Sequence, residues 1–303
     1  MNKNVKNVNF KSGVAVIVAR PNVGKSTLLN KILGQKIAIA TPLKQTTRKN
    51  LKGIYTDSSS QIILIDTPGI HKPINELGNY LSEQTKSALT DADLILFMVD
   101  STEPAGLGDT WIAENYLKSI KTPILLVLNK VDLIKDLEKR ELNLFSYKKL
   151  FSDNIDSIKI SAKTGRNVDD LIEKIKSYLP YGEKFYDEDT VTDANMREIT
   201  SEIIREKIIL NTKDEVPHSV AVMVDEYKEE NKIDKIKAKI IVNTESQKGI
   251  IIGKSGSMLK KIGSSAREEL EKILEKKVYL ELFVKVQKNW LKDKTAIKNL
   301  GYE

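Results

Sequence analysis

Cysteine is absent from the 303 residues. Disulfide scaffolds, thiol catalysis and Cys-ligated zinc or iron–sulfur sites are therefore excluded. Histidine is nearly absent too. His71 and His218 are the only two, too few for a His-rich metal centre, and nothing nearby pairs either for catalysis. No apolar run approaches the roughly 18 residues of a membrane span. The opening MNKNVKNVNFKSG has no apolar h-region, so no export signal is visible. The expectation is an intracellular, soluble protein. Tryptophan occurs twice, at Trp111 and Trp290, both expected as core or interface anchors.

The length suggests two domains at roughly 150 residues each. Apolar residues make up 40% and charged residues 30%, ordinary values for a globular chain. The net charge is +7, and it is unevenly placed. Residues 231–303 carry 17 Lys+Arg against 9 Asp+Glu, whereas the other 230 residues sum to −1. A polyanion partner is therefore expected at the carboxy-terminal quarter.

Short Val/Ile/Leu runs at Val14–Val18, Ile62–Ile65, Leu94–Val99, Ile124–Leu128 and Ile158–Ile160 alternate with segments of helical spacing. That alternation predicts a doubly wound α/β domain with buried parallel strands. After Leu179 the stretch Pro180–Glu183 followed by Asp187–Asp189 reads as a linker. Beyond it the pattern predicts a helix near Met196–Leu210 and strands near Val220–Tyr227 and Ile236–Asn243. A glycine-punctuated stretch, Gly249–Gly263, is expected next, leading into a helix near Ser264–Lys276 and a last strand near Val278–Val286. The expected division is 1–182, a linker at 183–194, and 195–303.

The chemistry-bearing residues close the apolar runs. Val14–Val18 leads into Ala19–Arg20–Pro21–Asn22–Val23–Gly24–Lys25–Ser26–Thr27 and then a helical segment. This is a P-loop with alanine at its first glycine position. Gly24 lets backbone amides approach phosphate oxygens, and the following helix turns its positive dipole end toward them. Lys25 can reach the β/γ-phosphates, and the Ser26 hydroxyl can bind Mg²⁺. Asp66, in Asp66–Thr67–Pro68–Gly69, follows Ser26 by 40 residues and ends a strand; it can hold a Mg²⁺ water. The Gly69 amide, unshielded by a side chain, can sense a γ-phosphate. In Gln45–Thr46–Thr47–Arg48 a threonine can complete the Mg²⁺ shell when that phosphate is present, and release the loop when it is lost.

Asn129–Lys130–Val131–Asp132 points to guanine. Asp132 can accept from both N1–H and the 2-amino group; adenine presents an acceptor at N1 and no 2-amino group, so a buried mismatch costs about 1–3 kcal/mol. The Lys130 stem can cover the base, and Asn129 can tie the loop to the P-loop. Ser161–Ala162–Lys163, 29 residues after Asp132, offers backbone donors for guanine O6. All four motifs end predicted strands, where open α/β sheets bind ligands. GTP hydrolysis is the expected chemistry, with Asn22, Lys25, Thr47 and Gly69 as its catalytic residues. Ile70 follows Gly69, where a Ras-type enzyme places a water-orienting glutamine, so the attacking water needs another guide.

In the basic quarter, residues 246–266 hold Lys248, Lys254, Lys260 and Lys261 and no acid. Gly249 and the Gly253–Lys254–Ser255–Gly256 turn precede a helix, which suits a sugar–phosphate backbone. Ile250–Ile252 offers an apolar floor for bases. The order helix, two strands, short helix, GxxG, helix, strand fits a type II KH domain. The fold class is thus an α/β P-loop NTPase sheet with a smaller α+β KH domain.

Over residues 10–303 the sequence resembles the Era family of bacterial GTPases, in which a Ras-like domain precedes a KH domain. The segments that carry the resemblance are RPNVGKSTLLNKILGQKIAIAT, QTTR, IDTPGIHKP, NKVDL, SAKTG, EVPHSVAV, SQKGIIIGKSG and KVYLEL. The resemblance implies Mg²⁺ ligation by Ser26 and Thr47 and RNA clamping at Gly253–Gly256. It implies binding to the 3′ end of 16S ribosomal RNA, action in 30S subunit assembly, a link to cell-cycle control, and contact with the inner membrane from the cytoplasm. A monomer is expected. Asn22 is similar to the asparagine of GTPases that recruit K⁺ in place of an arginine finger. The family has glycine where this chain has Ala19. Two readings therefore stand: a GTP-driven assembly factor, or an RNA chaperone whose nucleotide site Ala19 makes nearly inert. A third, weaker reading is action on transfer RNA or the large subunit.

Overall fold

The computed structural model describes residues 9–41, 46–151 and 155–302; the terminal MNKNVKNV and Gln45 lie outside the described residues. The chain divides into two compact units. One comprises Met1–Ala38, Thr47–His71 and Leu81–Asp193; the other comprises Ile39–Thr46, Lys72–Tyr80 and Ala194–Glu303.

The first unit holds β1 (Lys11–Val18), β2 (Leu51–Thr56), β3 (Ser60–Asp66), β4 (Leu94–Asp100), β5 (Ile124–Asn129) and β6 (Ser157–Lys159) in one sheet, ordered β2-β3-β1-β4-β5-β6. All neighbours pair parallel except β2 with β3. In β1 the period of two is plain: Ala15 and Ile17 enter one core, Val16 and Val18 the other, all fully buried. A strand apolar on both faces requires cover on both, and each buried Val or Ile side chain contributes roughly 1.5–3 kcal/mol. The cover comes from α1 (Lys25–Leu33), α2 (Glu76–Thr90), α3 (Leu107–Ile112), α4 (Leu137–Lys148) and α5 (Val168–Tyr178). Helices α1 and α5 place Leu28, Leu29, Leu171 and Ile175 on one face; Leu89, Ile112 and Tyr147 from α2, α3 and α4 cover the other.

Strand β2 was not expected from the sequence. Gly53 interrupts its apolar pattern because a Cβ there would lie 2.6 Å from both Leu29 and Leu33 of α1. Residues 183–193, expected as a linker, are bonded to this unit, because β2 is an edge strand with backbone groups to satisfy. The Ile54 amide donates to Val191 O at 2.8 Å, and Thr192 Oγ1 donates to Lys52 O at 2.7 Å. Gln61 Oε1 accepts from the amides of Phe185 and Tyr186.

Asp57 organises the β2–β3 turn. It accepts from the Ser59 and Ser60 amides, each at 2.8 Å, and pairs with Lys176 at 2.5 Å. Burial favours its neutral form, but Lys176 and the Ser59 groups prevail and hold the carboxyl well below the usual range. A depressed pKa contributes stability above the unfolded value and loses it as pH falls toward the folded one. We expect Asp57→Asn to cost about 1 kcal/mol at pH 7, with the gap to wild type closing below about pH 3. Urea denaturation at both pH values measures this.

The second unit contains α6 (Met196–Asn211), α7 (Val216–Ser219), β7 (Ala221–Lys228), β8 (Ile233–Val242), α8 (Glu245–Ile252), α9 (Ser257–Leu274), β9 (Lys277–Val286) and α10 (Lys294–Asn299). Strand β8 is central, antiparallel to β7 and parallel to β9. Ile236, Ala238, Ile240 and Val242 of β8 face Ile204 and Ile208 of α6 and Ile262, Ala266 and Leu270 of α9 in one core. Asn195 and Glu198 close a reciprocal capping box at the start of α6.

Two sequence expectations are corrected here. The short helix expected before the GxxG turn is α8, but α9 begins at Ser257 rather than near Ser264, so Gly263 lies inside it and only Gly253–Gly256 interrupts the helices. The unit also continues past β9, where Trp290 is fully buried and donates its indole N–H to Ser219 O at 3.0 Å. That anchor is what the sequence reading expected of Trp290.

Candidate nucleotide site and RNA interface

Strand order sets the first site. The chain leaves β1 toward β3 on one side and β4 on the other, so the carboxyl end of β1 is a topological switch point. Helix α1 begins there at Lys25, with Gly24 at φ 107° as N-cap and no side-chain cap. Its first amides are therefore available to an anion. Gly24 cannot be replaced freely: the φ is left-handed, and a Cβ would lie 2.6 Å from Asn129 Nδ2.

Lys25 and Asp66 are buried together. Burial lowers the Lys25 pKa and raises that of Asp66, while each charge favours the other. Ser26 Oγ donates to Asp66 Oδ2 at 2.6 Å, and Thr47 Oγ1 lies 3.1 Å from Ser26 Oγ and 3.3 Å from Asp66 Oδ2. The three residues expected at the metal thus converge. Asp66 Oδ1 is buried without a hydrogen-bond partner among the described residues. An orphaned carboxylate oxygen beside two hydroxyls is a hard-oxygen set suited to Mg²⁺.

Thr67 Oγ1 donates to Ile17 O at 2.7 Å and the Ile70 amide to Ala19 O at 3.0 Å, clamping this turn to the P-loop. Gly69 is required by packing, because its Cβ would meet Pro21 at 3.0 Å. Ile70 is itself buried in the core. Ala19 is fully buried in the core and is not among the residues of positive φ, so its methyl brings no left-handed strain. Asn22 is exposed at φ 65°, a conformation asparagine tolerates. The Arg20 guanidinium is held by Asp109 at 2.8 Å and Glu103 at 2.7 Å, which leaves its backbone as what it can offer a nucleotide.

Asn129 joins the remaining loops. Its Nδ2 donates to Val23 O at 2.7 Å, and its Oδ1 accepts from the Ala162 amide at 2.8 Å. Lys130, at φ 65°, bonds Asp100 at 2.6 Å; Asp132 is exposed. The Ser161 amide donates to Arg166 O, so the donors of Ser161 and Ala162 are spent inside the loops. Of the expected O6 donors, the Lys163 amide is the one left. Thr27 lies half-buried in the first turn of α1.

In the second unit, Gly253 (φ 71°, ψ 176°), Ser255 (φ 51°) and Gly256 (φ 78°) bend the chain into α9, whose N-terminus also lacks a side-chain cap. Gly249 has open space around its Cβ position, so packing does not require glycine there. Lys254, Lys260 and Lys261 are exposed and Lys248 half-buried, and none of the four is in an ion pair among the described residues. On the sheet, by contrast, Lys235, Lys237 and Lys239 pair with Glu230, Glu226 and Asp225.

A family model described as a 50S ribosome-binding GTPase matches residues 14–130, and one described as a KH domain matches residues 215–291. GTPase Era of Nostoc sp. is 48% identical over 97% of this chain and 90% of that protein. GTPase Era of Halothermothrix orenii is 44% identical over 98% of this chain and all of its own length. The chain belongs to the Era family of GTPases.

Two solved Era structures each superpose with a TM-score of 0.93 at 41% identity, covering 97% of this chain and 99% of theirs. One is Era in complex with MgGDPNP and nucleotides 1506–1542 of 16S ribosomal RNA; the other is a variant of Aquifex aeolicus Era bound to GDP·AlF4⁻. As an Era-family GTPase the chain hydrolyses GTP. The nearly inert site considered for Ala19 has no support in the backbone around that residue. Sequence reasoning missed Asp100, which anchors Lys130, and Asp109, which anchors Arg20. Asp100 carried a signal, since it ends the apolar run of β4 as Asp66 ends that of β3. No helix among the described residues is long and apolar enough to cross a membrane.

Proposed function

We propose that this GTPase binds the 3′ end of 16S ribosomal RNA through its GKSG loop and assists 30S subunit assembly, its nucleotide state setting RNA affinity. The observation that carries the reading is the set of four lysines around that loop with no carboxylate partner among the described residues. Their charge remains available to phosphates, whereas the sheet lysines are already neutralised. The Era structure holding a 16S fragment supports the same reading.

In the nucleotide site, the α1 amides and Lys25 hold the phosphates, Asp132 and the Lys163 amide select guanine, and Ser26, Thr47 and Asp66 hold Mg²⁺. When bound, Mg²⁺ supplies positive charge at the β- and γ-phosphates. Ile70 lies in the core and orients no water, so charge beside Asn22 from K⁺ is the proposed substitute for an arginine finger. The reading includes a monomeric, cytoplasmic protein with peripheral contact to the inner membrane.

GTP turnover in K⁺ and Na⁺ buffers, with a 16S 3′-end oligonucleotide or a scrambled one, tests it. We expect roughly tenfold faster turnover in K⁺, lost in Asn22→Ala. We also expect a further rise with the matched oligonucleotide alone. Equal rates in both salts would remove K⁺ from the reading, and equal binding of both oligonucleotides would remove the 16S assignment.

A further inference from the structure

Lys130 is held both by its backbone and by its tip. It stands at φ 65°, a left-handed conformation that a lysine keeps only where its surroundings impose it. The peptides on either side are pinned. The Asn129 carbonyl accepts from the Ser101 amide at 3.0 Å and from Ser101 Oγ at 2.6 Å, and Ser101 is fully buried. The Lys130 carbonyl accepts from the Leu133 amide at 3.0 Å, and the Val131 amide donates to Ile160 O at 3.2 Å. At the far end of the side chain, Nζ donates to Asp100 Oδ2 at 2.6 Å.

Asp100 is fixed in turn. It ends β4 and lies opposite Asn129 in the β4–β5 register. Its Oδ1 accepts from the Thr102 amide at 3.0 Å and from Thr102 Oγ1 at 2.7 Å, which leaves Oδ2 for the ammonium. Its backbone carbonyl accepts from the hydroxyl of the buried Tyr147 at 3.0 Å. Burial disfavours the Asp100 charge, but Lys130 and the Thr102 groups prevail and hold the carboxyl below its usual range. The Asp100 and Lys130 side chains are 15% and 31% exposed, so salt screens this pair less than it screens a surface pair. A lysine stem is long and flexible, and ordering it against a ligand is costly. Here the stem is ordered before any nucleotide arrives.

We propose that Asp100 is a positioning residue for guanine binding, drawing the Lys130 stem taut so that it forms one wall of the base site in advance. The proposal rests on the reading of Lys130 as the cover of the base. The stem makes that contact, and its ammonium is committed to Asp100. Asp100 acts through Lys130 alone. The wall meets the base and not the γ-phosphate, so GDP and GTP gain from it equally and the hydrolytic step gains nothing.

The test is equilibrium binding of GDP and of a non-hydrolysable GTP analogue to the full chain, together with single-turnover hydrolysis of bound GTP. Asp100→Ala is expected to weaken both nucleotides alike by about tenfold, while the single-turnover rate stays within about twofold of wild type. Asp100→Asn keeps the shape and the Thr102 bonds and is expected to give a smaller loss of the same kind, which guards against misfolding of Asp100→Ala. In a Lys130→Ala background, Asp100→Ala is expected to add less than about twofold. Fully additive losses, or a single-turnover rate that falls as far as the affinity, would make Asp100 merely structural and overturn the proposal. Wild-type affinity in the folded Asp100 variants, with Lys130→Ala weakened, would overturn it while sparing the role of Lys130. If Lys130→Ala itself binds GDP as wild type does, the base-cover reading falls and the proposal with it.

Discussion

Asn129→Ala is expected to weaken GDP and GTP alike by roughly 100-fold or more and to lower the melting temperature of the nucleotide-free protein. Asn129 is 3% exposed and joins two loops through opposite ends of one amide, donating to Val23 O and accepting from the Ala162 amide. Alanine would strand both backbone groups in a buried setting, at about 1–3 kcal/mol each. Losing the Val23 bond frees the P-loop and losing the Ala162 bond frees the base loop, so phosphate and guanine contacts suffer together. Asn129→Asp separates the two halves, because a carboxylate still accepts from Ala162 but repels the Val23 carbonyl. It should retain more base selectivity than alanine while losing phosphate affinity. Titration with GDP, GTP and ATP reads the affinities and the base selectivity, and thermal unfolding without nucleotide reads the melting temperature. A loss confined to GTP would refute this account, since neither bond involves the γ-phosphate.

What was legible beforehand follows a physical division. Strands β1, β3, β4 and β5 are apolar on both faces, so their composition alone marked them, and the polar residues that end or follow β1, β3 and β5 marked the site. Strand β2 escaped because its burial depends on α1: Gly53 is small to admit Leu29 and Leu33, a reason that exists only after folding. The same holds for Gly69, read as an unshielded amide and found to be demanded also by Pro21. Helix α8 was legible as the short helix before the GxxG turn, although Gly249 is a poor helix residue with nothing packed against it. The start of α9 was placed seven residues late because Gly263 interrupts its helical pattern. Asp109 acts on Arg20 across 89 residues of sequence, a range at which spacing carries no signal.

Gly253→Ala is expected to abolish most RNA affinity, by about 100-fold, while RNA-free GTP turnover stays at the wild-type rate. At φ 71° and ψ 176° this residue occupies a region essentially reserved for glycine, worth about 1–3 kcal/mol of strain to any other. A Cβ would also lie 2.7 Å from Met258 Cβ and 2.9 Å from the Met258 amide, both in the first turn of α9. The turn can relieve this only by moving off the helix, which displaces Lys254 and Ser255 and rotates the uncapped α9 amides that a phosphate would meet. Gly256→Ala is the informative comparison. It is also left-handed, at φ 78°, but nothing lies within 4 Å of its Cβ position, so it carries strain of about 1 kcal/mol without a clash. Its affinity loss should be about tenfold or less. If the two substitutions cost the same, the clash with α9 is irrelevant and crowding of the RNA backbone itself sets the affinity. If neither weakens binding, the GKSG loop is not the clamp, and Lys248 of α8 with Lys260 and Lys261 of α9 must hold RNA without it.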